Sequence, residues 1–283
     1  MEIIDGKKVA SKIRENLKYE CENLKKQGIQ PKLAVIMVGE NKASQIYVRN
    51  KSKACEEIGI EFEEFLLDEK IKQEELIDLI KKLNEDEKTH GILLQSPIPS
   101  HLDINEAIQT ILPEKDVDGF NPVNVGKLTL NQNTFVSCTP YGIMKLFEEY
   151  KIELEGKNIV IVGRSNIVGK PLIQCCLNKN ATVTICHSKT KNLKQFTQNA
   201  DILIVAIGKS KFITEDMIKK DAVVIDVGIN RGEDGKITGD VDFENASKKV
   251  SYITPVPGGV GPMTIAMLMN NVIKAVKEKY EGA

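Results

Sequence analysis

An α/β fold built on parallel strands is what this sequence predicts, and three observations carry that expectation. Short aliphatic runs alternate with amphipathic stretches along the chain, which implies parallel pairing through right-handed helical crossovers. One run, 158–162, stops at a glycine and passes directly into a helix start, NIVIVGRSNIVGKP over 158–171. That strand–turn–helix unit places backbone N–H groups where they can hold a phosphate. The 283 residues suit one large or two ordinary domains with sizeable cores.

The elements follow in order. Over 8–26, Val9, Ile13, Leu17, Cys21 and Leu24 share one face of an amphipathic helix that Gly28 ends. Residues 33–38, LAVIMV, read as a buried strand closed by Gly39. A second helix over about 43–58 stops at Gly59, and 60–67 alternates as a strand. Leu76, Ile77, Ile80 and Leu83 mark a third helix, and 91–95, GILLQ, another strand broken by SPIP. Ile104, Ala107, Ile108 and Ile111 form a short helix before Pro113. In sheets of this kind the chemistry gathers at the carboxyl ends of the strands.

The glycine turn repeats the dinucleotide spacing, with Gly163, then Ser165 where a second glycine usually stands, then Gly169. Taken alone, such a turn is as often structural as functional. After a helical stretch over 172–177 comes a strand over 181–186, which in an NAD-binding unit should end in an acidic residue for the ribose 2′-hydroxyl. Here it ends in His187, Ser188 and Lys189. A hydroxyl and cations there, with Arg164 in the turn, suit a 2′-phosphate, so the cofactor reading is NADP. Further strands are expected over 202–206, 223–227 and 250–253.

Composition narrows the function classes. With 41% hydrophobic and 28% charged residues and a net charge of −1, the chain carries no electrostatic footprint for nucleic acid or an anionic membrane. No apolar run approaches a membrane span, and the start, MEIIDGKK, lacks a signal-peptide core. The six cysteines show no zinc spacing and read as buried reduced thiols of a cytoplasmic protein. No metal constellation is visible.

Four places stand out on chemical grounds. Tyr47 and Lys51 are four apart on one helix face, although an exposed tyrosine beside a solvated lysine is the commoner meaning of such a pair. Gln95 ends its strand before the stiff Pro97–Pro99 segment. Asp116 and Asp118 flank a valine in KDVDGF, where aspartates ahead of glycine are usually turn formers. Residues 254–264, TPVPGGVGPMT, combine three prolines and three glycines ahead of an apolar helix, a composition that lets something approach the backbone closely.

In this order, SxxYVxxK, QxPxP, KDVDG, GRSxxVGxP and TPVPGGVGPMT, the motifs resemble those of the bifunctional methylenetetrahydrofolate dehydrogenase/methenyltetrahydrofolate cyclohydrolase family, the FolD-type enzymes. The match spans nearly the whole chain. One departure is Ser96, which stands where the family usually has an apolar residue in QLPLP. The resemblance implies two α/β domains with a cleft between them: a folate-side catalytic domain over 1–140 plus 263–283, and a Rossmann-type NADP-binding domain over 141–262. It also implies a homodimer, with tetrahydrofolate derivatives as substrates.

The implied reactions are oxidation of 5,10-methylenetetrahydrofolate by NADP and hydrolysis of the methenyl cation to 10-formyltetrahydrofolate. Lys51 matches the family's catalytic lysine. A free lysine, with a pKa of about 10.4, needs burial or a cationic neighbour to act as a base near neutrality. Gln95 resembles the partner that orients Lys51 and the water, and the resemblance implies that Tyr47 would stack on the folate. By the same resemblance Asp118 would anchor the pterin, whose two adjacent N–H donors an ionised carboxylate can accept. Pro257, Gly258 and Gly259 line the substrate side. Gly163, Arg164, Ser165, Gly169, Ser188 and Ile229 bind the cofactor, with His187 secondary. A short-chain dehydrogenase also uses Tyr-x-x-x-Lys, but carries it after the glycine turn, whereas Tyr47 lies far ahead of Gly163. The alternative from another class is a non-catalytic NADP-binding regulatory protein, whose mark would be loss of Lys51, Gln95 or Asp118. All three are present.

Overall fold

The computed structural model describes residues 1–232, 235–280 and 282. The chain forms two compact units, one of residues 1–10 and 137–264, the other of residues 11–136 and 265–283. It begins with β1 (Glu2–Ile3), then enters α1 (Gly6–Lys26), within which it passes from the first unit to the second. Residues 1–10, which the sequence reading places on the folate side, group by their contacts with the first unit. The cause is pairing: β1 runs parallel to a late strand, Glu2 against Tyr252 and Ile3 against Ile253. Two residues are too short to announce a strand by periodicity.

The second unit continues through β2 (Lys32–Val38), α2 (Lys42–Ile58), β3 (Glu61–Leu67), α3 (Gln73–Glu85), β4 (Gly91–Leu94), α4 (Ile104–Thr110) and α5 (Pro122–Thr129). Its sheet has the order β3-β2-β4, all parallel. The central β2 is buried on both faces, as its unbroken aliphatic run requires. At the edge, β3 mixes Glu61, Glu63 and Glu64 with Phe62 and Phe65, and such charges discourage pairing with another chain. Asp116 adds an isolated parallel bridge to Ile92, so the KDVDG segment lies beside β4. Ile36, Leu76, Ile80, Ile92 and Ala107, each fully buried, form the middle of this unit's core.

The first unit resumes with α6 (Cys138–Glu149), β5 (Asn158–Val162), α7 (Gly169–Leu177), β6 (Thr182–Cys186), α8 (Leu193–Thr197), β7 (Ile202–Val205) and β8 (Val223–Asp226). A short antiparallel pair follows, β9 (Asn230–Arg231) and β10 (Ile237–Thr238), then α9 (Phe243–Ala246) and β11 (Tyr252–Ile253). Its six-stranded sheet has the order β1-β11-β8-β7-β5-β6 with every pair parallel. The chain turns one way from β5 to β6 and then returns to the other side as β7, so a topological switch point lies between β5 and β7. The last helix, α10 (Val260–Tyr280), starts in this unit and ends in the other.

All six cysteines are free and buried. Burial pushes the thiols of Cys55, Cys175 and Cys176 up to about 12. Among the described residues no helix is long and apolar enough to cross a membrane.

Candidate active site

In the three-stranded unit the carboxyl end of the sheet carries a paired amine and amide. α2 starts behind Asn41, whose side chain accepts from the Ser44 N–H at 3.0 Å, and runs unbroken past Tyr47 and Lys51. Tyr47, one helical turn before Lys51, is 48% exposed and available to a ligand. Lys51 Nζ donates to Gln95 Oε1 at 2.8 Å. Gln95 is the first residue beyond β4, buried, its own N–H tied to the Ile36 carbonyl at 2.8 Å. Its amide nitrogen donates to the Ser96 carbonyl at 2.7 Å. Both ends of the amide are therefore engaged, which fixes the rotamer and with it the direction of the Lys51 amine. The Ser96 side chain is exposed, and what the site uses of this residue is its backbone oxygen. A serine in place of an apolar residue leaves that contact intact.

Asp118 sits in a loop held from both sides. Lys115 is only 9% exposed and caps the end of α3, its Nζ donating to the carbonyls of Leu83, Asn84 and Asp86 at 3.0, 2.7 and 2.8 Å. Asp116, buried, accepts from the N–H groups of Gly119 and Asn121 and from Asn124 Nδ2, at 3.1, 2.8 and 2.8 Å. Burial raises its carboxyl above the usual range while those donors oppose the shift. Asp116 is the turn former the motif suggested, and Asp118, two residues on, is half-buried.

In the six-stranded unit the glycine turn lies at the switch point. A Cβ on Gly163 would meet the Ala206 carbonyl oxygen at 2.2 Å, and one on Gly169 would meet that of Gly163 at 2.1 Å. Only glycine lets the turn close against β7 and against its own helix. Ser165 Oγ accepts from the N–H groups of Val168 and Gly169 at 3.2 and 3.4 Å. The residue replacing the second glycine therefore closes the turn that leads into α7. Arg164 and Ser188 are exposed. The Gly163 N–H donates to Cys186 O at 2.9 Å, which lays the turn along the end of β6, two residues before Ser188. His187 builds a local turn, its Nδ1 accepting from Lys189 N at 3.2 Å. Ile229, 52% exposed, shares a cavity of about 160 Å³ with Pro257, Gly258 and Gly259.

The fold also brings forward two residues that motif reading passed over. Asp226 ends β8 and Asp240 follows β10, and they are 3% and 0% exposed. Burial, with Asp240 nearby, pushes the Asp226 carboxyl up to about 6 against three backbone N–H donors. The available signal was an aspartate closing an otherwise apolar strand. Among the described residues no group of three or more His, Cys, Asp or Glu side chains is arranged to hold a metal.

Comparison with known proteins places the two halves in one family. Residues 4–118 match the model of the tetrahydrofolate dehydrogenase/cyclohydrolase catalytic domain, and residues 137–280 that of its NAD(P)-binding domain. The bifunctional protein FolD of Campylobacter hominis is 55% identical over 281 residues, 99% of each chain. A crystal structure of the bifunctional FolD enzyme from Campylobacter jejuni superposes with a TM-score of 0.98 at 54% identity, covering 99% of both chains. The Trypanosoma brucei dehydrogenase–cyclohydrolase, complexed with NADP and an inhibitor, matches with a TM-score of 0.93 at 38% identity over 98% of this chain and 97% of that one.

Proposed function

The chain belongs to the tetrahydrofolate dehydrogenase/cyclohydrolase family, and from that membership we infer that it oxidises 5,10-methylenetetrahydrofolate with NADP and hydrolyses the methenyl product to 10-formyltetrahydrofolate. The observation that carries the reading is the 2.8 Å bond between Lys51 Nζ and Gln95 Oε1. An amine aimed by a locked amide is what a step moving protons at a bound cation requires.

The residues present fit the cofactor: a glycine turn that a Cβ would fill, exposed Arg164 and Ser188, and a β6 end without a carboxylate. The turn from Gly163 to Gly169, Ser165 included, holds the pyrophosphate. Arg164 and Ser188 would hold the 2′-phosphate, and Ile229 would lie against the cofactor. NADP, when bound, supplies the hydride acceptor. On the folate side, Asp118 accepts the two adjacent N–H donors of the pterin edge, and Tyr47 stacks on the ring system and hydrogen-bonds near the reacting carbon. Lys51 then moves the proton that hydrolysis of the methenyl group demands, with Gln95 holding Lys51 and the attacking water. Hydride transfer asks of these side chains positioning only. Pro257, Gly258 and Gly259 form the substrate-side wall.

The domain limits of 1–140 plus 263–283 and 141–262 belong to this reading, as do a homodimer and a cytoplasmic site of action. Spectrophotometric turnover tests the activity directly. Methylenetetrahydrofolate should be consumed with reduction of NADP, and supplied methenyltetrahydrofolate should be hydrolysed. A folded, pure preparation with neither activity would refute the reading.

A further inference from the structure

The carboxyl edge of the six-stranded sheet holds an anion of the protein's own. After β7 the N–H groups of Ile207, Gly208 and Lys209 converge, because Gly208 adopts φ 65°. Successive N–H groups arranged this way form a concave nest that suits a phosphate. Here the nest is filled by Asp240. Its Oδ2 accepts from Ile207 N and Gly208 N at 2.7 and 2.9 Å, and its Oδ1 from Lys209 N at 2.8 Å. Oδ1 accepts once more, from Asn230 Nδ2 at 2.9 Å.

Asp226 completes the arrangement from the next strand. Its Oδ1 accepts from Gly228 N and Asp240 N, both at 2.9 Å, and its Oδ2 from Val241 N at 2.9 Å. Its own N–H donates to Thr254 Oγ1 at 2.8 Å, at the root of the proline- and glycine-rich loop. The approach is so close that side chains are excluded on both sides. A Cβ on Gly228 would meet Asp240 Oδ1 at 2.3 Å, and one on Gly239 would meet Asp226 Oδ2 at 1.9 Å.

Between these ties lies Ile229. The residue before it is bonded to Asp226 and the residue after it to Asp240, while its side chain remains 52% exposed beside the proline–glycine loop. Two buried carboxylates that bind seven N–H donors between them hold this loop far more tightly than a surface loop requires. We propose that Asp226 and Asp240 are positioning residues for the dehydrogenase reaction, holding Ile229 in place against the cofactor. The inference rests on the reading of Ile229 as a cofactor contact. It assigns the pair no part in hydrolysis.

The test uses Asp240→Asn, which keeps the shape of the side chain and turns one acceptor into a donor facing backbone N–H groups. The KM for NADP should rise ~10-fold, with cyclohydrolase kcat on the same preparation within about twofold of the parent. In Asp240→Asn/Ile229→Ala the two losses should fail to multiply, since residues acting through one contact are coupled. Asn230→Ala removes a single bond to the nest and should raise the same KM, so the idea stays testable if Asp240→Asn does not fold. An unchanged NADP KM in either folded variant, while Ile229→Ala raises it, would overturn the proposal alone. So would a parallel fall of both activities, or independent multiplication in the double variant. An unchanged KM in Ile229→Ala would remove the cofactor reading of Ile229 and this proposal with it, leaving the overall activity untouched.

Discussion

Lys51→Met should split the two reactions. Methionine keeps most of the apolar stem and deletes the amine that donates to Gln95 Oε1 at 2.8 Å. Loss of that donor at a side chain 9% exposed costs about 1–3 kcal/mol of stability. That lies within the roughly 5–15 kcal/mol that holds a domain folded, so the variant should fold with a lowered melting temperature. The catalytic cost is larger. General acid–base assistance is worth ~10²–10⁴-fold, or about 2.7–5.5 kcal/mol of barrier, and hydrolysis of the methenyl cation cannot avoid proton transfer. Hydride transfer neither protonates nor deprotonates the folate, and Gln95 stays tied to Ser96 and Ile36 by its other bonds. The ratio of cyclohydrolase to dehydrogenase kcat should therefore fall by at least ~100-fold. Both kcat values are to be measured on one preparation, with folding checked by a thermal melt. If KM rises for both substrates and the kcat ratio stays at the parent's value, Lys51 attracts the folate and catalyses nothing.

The remaining expectations concern other residues. Arg164→Ala should weaken NADP by ~10–100-fold, the worth of a charge-assisted hydrogen bond, and leave NAD nearly unaffected; steady-state comparison of the two cofactors decides it, and equal losses would remove Arg164 from the 2′-phosphate. Asp118→Asn turns an acceptor oxygen into a donor facing substrate donors, so both activities should fall together; loss of one alone would contradict a shared pterin anchor. His90 gives a pH dependence. Burial first, then the Lys279 and Lys115 charges, push its pKa down to about 4, so the folded state keeps the ring neutral. Its contribution is present above pH 6.5 and is lost as pH falls from 6.5 through 4, about 2 kcal/mol by pH 5. Asp226, with its carboxyl raised to about 6, works in the opposite sense, so the comparison must be with the parent. Between pH 7 and 5, His90→Gln should retain about 2 kcal/mol more stability than the parent in denaturant melts; identical pH profiles would refute the assignment.

Much of this was legible in the chain because period and punctuation agreed. β5 was read at its observed limits, 158–162, since five residues buried on both faces leave an unbroken aliphatic run. Helix ends at Gly28 and Gly59 were visible as glycines after the last apolar position. β1, β9, β10, α8 and α9 lack the unbroken aliphatic run that marks β5, and β1 exists only because β11 offers it an edge. α5 and α6 are absent from the sequence expectations, although Asn121 with Pro122 is a helix-start signature. In the site, Lys51 and Gln95 lie in separate motifs that the family resemblance already pairs, and the fold supplies the 2.8 Å geometry of the bond. Asp226 and Asp240 stayed hidden because an aspartate near a glycine reads as a turn. Seven N–H groups converging on two carboxylates depend on loops far apart in sequence.

The burial of every native thiol has a practical use. Thiols at pKa about 12, such as those of Cys55, Cys175 and Cys176, hold about one thiolate in ten thousand at pH 8. Cys21, Cys138 and Cys186 are buried as well. A cysteine introduced at an open position, Tyr19→Cys in one unit or Leu177→Cys in the other, at 65% and 53% exposure in the parent residue, would outreact them all. Either variant would then carry one addressable thiol for a fluorophore, with the six native cysteines left in place.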